Sequence, residues 1–146
     1  MTFCSHDIDI DTSPDHARRY LEQVPNLPAW TEFFRAVGER HGEYYRVESV
    51  MGPIDTRISR YTDGDVAVCT VHSLIRGQRE QAVIRIRPAG TGVNVAFTIQ
   101  LPETAPAELT AVAAATLHRE LTALKAILEH HVVRTGAESN PGVSDA

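Results

Sequence analysis

Two side chains in this sequence have the type and the surroundings that proton transfer needs, Glu120 and His72. On a helical wheel Glu120 falls between Leu109 and Ile127 on one side and Ala113 and Leu124 on the other, inside an apolar stripe. A charge at such a position is rarely buried unless it is paired or functional. A carboxyl facing an apolar cavity has its pKa raised and can act as an acid or a base; the alternative is a glutamate that bends aside to an arginine or to water. Thr116, one turn earlier, offers a hydroxyl on that face or serves as a small spacer. His72 shares a strand face with Val66, Val68, Thr70 and Leu74, opposite Ala67, Cys69, Val71, Ser73 and Ile75. The first set is bulkier and is expected to point inward, which puts an imidazole able to transfer protons near neutral pH into a mostly apolar pocket. The alternatives are a packing histidine or the opposite face.

Aromatic residues can wall such a space. Trp30, Phe33, Phe34 and Tyr45 offer flat surfaces to a ring or polyene, or else form plain core. Arg57, Arg60, Arg85 and Arg87 alternate along strands, the mark of a solvated face, except that Arg60 shares parity with Ile54, Thr56 and Ile58, which are expected inside. The expected lining is therefore Trp30, Phe34, Tyr45, Thr56, Arg60, Thr70, Phe97, Thr116 and Leu124, with Glu120 and His72 as the catalytic pair. Signatures of other chemistries are missing. Gly90-Thr91-Gly92 precedes a strand instead of a helix, so it is no phosphate loop, and there is no Gly-x-Ser-x-Gly elbow. His130 and His131 are adjacent, so their side chains diverge by about 100° on a helix and cannot clamp one ion. No metal and no cofactor is expected.

These groups need elements to position them. Ile8 and Ile10 share one face of a first strand, Phe3 to Ile10. Thr12-Ser13-Pro14-Asp15 then starts a helix: a hydroxyl caps the free N–H groups, proline suits the first turn, and aspartate favours the positive end. Pro28 opens a second short helix carrying Trp30, Phe33, Phe34 and Val37 and ending near Gly38. Strands follow at Glu43–Met51, Ile54–Tyr61, Val66–Ile75, Gln81–Arg87 and Val93–Leu101, the second and third joined by an Asp63-Gly64 hairpin signal. In the last strand Val93, Val95, Phe97, Ile99 and Leu101 point one way and Asn94, Ala96, Thr98 and Gln100 the other, so one face is buried. From Pro106 to about Val133, Leu109, Ala113, Leu117, Leu121, Leu124 and Leu128 draw one stripe on a long helix. That helix must bury its stripe against the sheet, and a curved sheet gripping a helix leaves a concave space between them.

The chain has 146 residues, 42% hydrophobic and 23% charged, which suits a single soluble domain over residues 1–134. Thr135 to Ala146 is small and polar and is expected to be a disordered tail. A net charge of −5 argues against non-specific nucleic-acid binding. No apolar run reaches membrane-span length, and the acidic start lacks a signal-peptide pattern. Cys4 and Cys69 have no metal-ligand spacing, so a reduced, cytoplasmic protein with a buried, inert Cys69 thiol is expected.

The order of elements resembles the helix-grip proteins of the START / polyketide-cyclase-like (SRPBCC) superfamily. The resemblance is carried by Ile8-Asp9-Ile10-Asp11-Thr12-Ser13-Pro14-Asp15, by Asn26-Leu27-Pro28-Ala29-Trp30, and by the stretch from His118 to Glu129. It implies an α+β fold in which a curved antiparallel sheet wraps a long C-terminal helix, with two short helices after the first strand. It also implies an internal cavity for a hydrophobic small molecule. The functions it suggests are a cyclase/dehydratase acting on a polyketide-like or aromatic substrate, with Thr116 and Tyr45 orienting it, or a non-catalytic carrier or sensor. The expected partner is a hydrophobic ligand or substrate, with a homodimer as an open alternative.

Overall fold

The computed structural model describes the backbone of residues 2–139 and side chains through residue 130. Seven strands form one antiparallel sheet: β1 (Thr2–Ile10), β2 (Phe34–His41), β3 (Tyr44–Ser49), β4 (Gly52–Asp63), β5 (Val66–Ile75), β6 (Gln78–Ala89) and β7 (Gly92–Leu101). The order across the sheet is β1-β7-β6-β5-β4-β3-β2. From β2 onward the sheet is a simple meander of hairpins, and β1 closes it beside β7, with Ile8 opposite Val95 and Cys4 opposite Ile99. Gly64, at φ 63°, turns the β4–β5 hairpin where Asp63-Gly64 predicts it.

Helices α1 (Pro14–Leu21) and α2 (Leu27–Trp30) fill the connection from β1 to β2, with a 3-10 turn at Val24–Asn26 between them. Ser13 caps α1 by accepting from the His16 N–H at 3.1 Å. The second helix is shorter than the sequence predicts. Thr31 is already extended, its hydroxyl donates back to the Leu27 carbonyl at 2.8 Å, and the Phe34 N–H bonds that hydroxyl at 3.3 Å. Phe34 and Val37 therefore lie on β2, an edge strand, and not on the predicted second helix. Arg35, Glu39, Arg40 and His41 are all exposed there, so no alternation announces the strand, and pairing with β3 defines it instead.

The long helix α3 (Ala107–Ser139) packs along β1 and β7. Leu117, Leu121, Leu124 and Leu128 are buried in one cluster with Ile84, Ile86, Val95 and Phe97 from the sheet. Each buried leucine stabilises the fold by roughly 1.5–3 kcal/mol relative to exposure. Leu109, expected at the start of the stripe, is 43% exposed instead, because the first turns of α3 extend past the filled core. The helical backbone continues beyond Val133, and residues 140–146 of the expected tail lie outside the described residues. Cys69 is fully buried, and burial pushes its thiol up to about 11, which makes it inert.

Candidate functional site

Where α3 outruns the filled core, a cavity of about 920 Å³ lies between it and the sheet. Its floor is the inner face of β5, with Val71, Ser73 and Ile75, and the inner residues Phe97 and Ile99 of β7. Ala113, Thr116, Leu117 and Glu120 of α3 form one wall. The linker residues Thr31, Glu32 and Phe33, together with Phe34, form another. The Val50-Met51 turn and the β5–β6 hairpin with Arg76, Gln78 and Glu80 complete the rim. Val50 and Met51 are partly exposed there.

Glu120 is 5% exposed, although it is charged and faces this largely apolar space. One of its carboxyl oxygens accepts the backbone N–H of Glu32 at 2.7 Å. Burial pushes the Glu120 carboxyl up to about 6; the neighbouring Glu32 charge adds to the rise, while the Glu32 N–H and Arg119 oppose it. Arg119, the next residue back, turns to the Glu32 carboxylate through two hydrogen bonds, Nε at 2.8 Å and Nη2 at 3.0 Å. Arg119 Nη2 also donates to the Thr116 hydroxyl at 3.2 Å, and that hydroxyl donates to the Val112 carbonyl at 3.0 Å. The Arg119 pairing holds the Glu32 carboxyl below its ordinary value. Two adjacent residues of α3 therefore grip Glu32, one by its backbone and one by its side chain, and so fix the linker that carries Phe33 and Phe34.

The structure brings together Phe34, Phe97, Thr116 and Glu120 of the residues predicted from sequence. Trp30 stands one layer behind, edge-on to Phe97 with ring centres 5.3 Å apart, and its buried Nε1 has no hydrogen-bond partner among the described residues. Thr56 is also behind the lining; fully buried, it shares a 3.1 Å hydrogen bond with the Ser73 hydroxyl. Leu124 belongs to the filled core. Tyr45 packs at the β3 side with the Arg40 guanidinium 5.7 Å over its ring, away from the cavity. Arg60 keeps its predicted parity but is exposed and pairs with Glu22 at 2.7 Å.

His72 and Thr70 lie on the other face of β5, which corrects the predicted orientation of that strand. The inner set is Ala67, Cys69, Val71, Ser73 and Ile75. Surroundings decide the orientation: Cys69 and Val71 pack into the core with Ile84 and Phe97, while His72 finds polar partners on the other face. His72 there bonds Ser59 Oγ at 2.8 Å and Gln81 at 3.4 Å. Partial burial, with Arg57 and Arg79 nearby, holds its imidazole below the ordinary value. Ser73, placed on the outward face by its residue type pattern, lines the cavity, and Glu32 and Arg119 are additions to the predicted site. Only Arg119, beside Glu120 in a helix, carried a signal that could have been read.

Among the described residues no cluster of three His, Cys, Asp or Glu could hold a metal ion, and no helix is long and apolar enough to cross a membrane. No protein-family model matches the sequence, and no curated protein does. Solved structures do match it. The Aha1 dimer from Colwellia psychrerythraea is 17% identical with a TM-score of 0.64, covering 88% of this chain and 97% of that one. A START superfamily protein from Mycobacterium smegmatis is 12% identical with a TM-score of 0.58, covering 88% and 97%. DynU16, a putative protein in the dynemicin biosynthetic locus, is 15% identical with a TM-score of 0.60; the match covers 87% of this chain and 47% of that one. At such identities the likeness speaks for architecture, and with the seven-stranded sheet gripping α3 it gives this chain the START-like helix-grip fold.

Proposed function

We propose that this protein binds a hydrophobic small molecule in the cavity between the sheet and α3. The observation that carries this reading is the cavity itself: about 920 Å³, lined mainly by apolar side chains, with one buried carboxyl, Glu120, on its wall. That volume lies within the range of small-molecule sites, where apolar walls bind and a few polar groups orient. The carrier or sensor reading needs nothing more.

A second reading is favoured by the carboxyl of Glu120, which burial brings to about 6. A group poised there can take a proton from a carbon acid and return it, as a cyclase/dehydratase on a polyketide-like or aromatic substrate requires. In that reading the cavity confines a flexible chain in a reactive conformer. His72, on the convex face, takes no part, so Glu120 carries both proton transfers.

Calorimetric titration with naphthol tests the binding reading. The wild type should bind it saturably at one site, and Ala113→Phe, which projects a ring into the cavity, should lose the binding while keeping its circular dichroism spectrum. Absent binding, or binding that survives the filled cavity, would falsify it. Turnover of a linear poly-β-ketone, lost in Glu120→Gln with binding retained, would separate the enzyme from the carrier.

A further inference from the structure

Charge around this cavity is distributed unevenly. Its described lining contains three carboxylates, Glu32, Glu80 and Glu120, against one cation, Arg76. Arg119, the nearest cation along α3, is engaged by the Glu32 carboxylate and the Thr116 hydroxyl. Glu120 is different from the other two carboxylates because it is buried, whereas Glu32 and Glu80 are exposed. The Glu32 N–H satisfies one Glu120 oxygen, and no described residue donates to the other. An ionised carboxylate in apolar surroundings is costly unless a countercharge meets it. A neutral hydroxyl on a ligand would satisfy the open oxygen but leave the charge uncompensated. A ligand carboxylate would bring a second like charge into a low-dielectric space. A protonated amine supplies both the donor and the countercharge, and such charge-assisted bonds are about twice as strong as neutral ones.

We infer that the ligand of this cavity is a cationic amphiphile, an apolar ring or chain bearing a protonated amine that pairs with Glu120 while its body lies against Phe34, Val71, Phe97 and Leu117. This rests on the reading that the cavity binds a hydrophobic small molecule, and narrows that reading to one class. Pairing requires Glu120 to be ionised. The charged groups around it are Glu32 from the linker, Arg119 from α3, and Arg76 and Glu80 from the β5–β6 hairpin; no histidine is among the described lining residues. Affinity for an amine should therefore rise as pH passes through about 6 and then level off.

The test compares naphthylmethylamine, naphthylmethanol and naphthoate, which share one apolar body, by calorimetric titration at pH 7.5 and pH 5. The wild type should prefer the amine over the alcohol by at least about tenfold at the higher pH, with the carboxylate weakest. Glu120→Gln, nearly the same in shape, should erase the preference and leave alcohol binding within about twofold, because the Glu32 N–H keeps an oxygen to bond. Glu80→Gln should retain the preference. An alcohol that binds as well as the amine, or a preference that survives Glu120→Gln or vanishes in Glu80→Gln, overturns the inference and leaves the binding reading standing. If none of the three probes binds, both fall.

Discussion

The backbone N–H of Glu32 donates to the Glu120 carboxyl at 2.7 Å, joining the linker before β2 to the middle of α3 across 88 positions of sequence. The bond does two things at once. It holds one oxygen of a buried carboxyl in place, and it holds the segment carrying Phe33 and Phe34 against the cavity. Phe33 in turn accepts from the Val50 N–H at 3.0 Å, so the turn at the rim is tied to the same linker. Any change in the charge of Glu120 is therefore felt at the cavity wall.

Glu120 should leave a pH signature in stability. Burial raises its carboxyl from 4.5 to about 6. A carboxyl whose folded value is the higher one binds its proton more tightly in the native state. Its contribution is thus complete below pH 4.5 and is lost as pH rises through 6. The loss corresponds to about 2 kcal/mol at 1.36 kcal/mol per pH unit. Urea melts at pH 4 and pH 7.5 should show wild type losing that much relative to Glu120→Gln, with other titrating groups cancelling in the comparison. Equal pH dependence in the two proteins would mean that Glu120 is solvated.

Arg119→Ala should separate binding from stability. Its pairing with Glu32 is exposed and screened, so thermal melting should barely move. The linker, however, loses one of its two ties to α3. Naphthol affinity should fall several-fold, and a lysine at this position, unable to make the two-pronged bond, should not restore it. Unchanged affinity in Arg119→Ala would show that the Glu120 bond alone fixes the wall.

How much of this could be read from residue types depends on whether a face was single-minded. In β7 the inner positions Val93, Val95 and Phe97 are buried and the alternation is clean, so that strand was legible in register and orientation. Glu120 was legible because one charge stands out in an apolar stripe. β5 was not, since both of its faces mix apolar and polar residues and the surroundings choose which packs inward. β2 was invisible as a strand because, apart from Phe34 and Val37, its residues are exposed on both sides. The partner of Glu120 left no trace at all, because a backbone N–H belongs to every residue type except proline.

Leu124 and Leu117 lie two turns apart on α3, and both are fully buried, yet they should respond differently to truncation. Leu124 sits in the filled core, so Leu124→Ala should cost roughly 2–5 kcal/mol through lost transfer energy and a new void. Leu117 already borders the cavity, so its removal enlarges a space that exists, and the loss should fall at or below the low end of that range. Denaturant melts measure both. A loss below about 0.5 kcal/mol at Leu124 would be surface behaviour and would contradict its place in the core.

The orientation of β5 is testable with two neighbouring residues. Successive side chains on a strand point to opposite faces, so His72 and Ser73 cannot both reach the cavity. Ser73 lines it, and His72 bonds Ser59 and Gln81 on the other side. His72→Ala should therefore leave naphthol affinity within about twofold, since no atom it removes borders the ligand. Ser73→Leu projects an isobutyl group into the cavity and should weaken binding at least about tenfold, the equivalent of 1.4 kcal/mol. The same change strips Thr56 of its hydroxyl partner, so some stability is lost as well. Ser73→Ala keeps the cavity open while removing that hydrogen bond, and it should bind normally at comparable stability cost. If His72→Ala proved the damaging change and Ser73→Leu the silent one, β5 would face the other way, and Glu120 would regain the histidine partner that the present arrangement denies it.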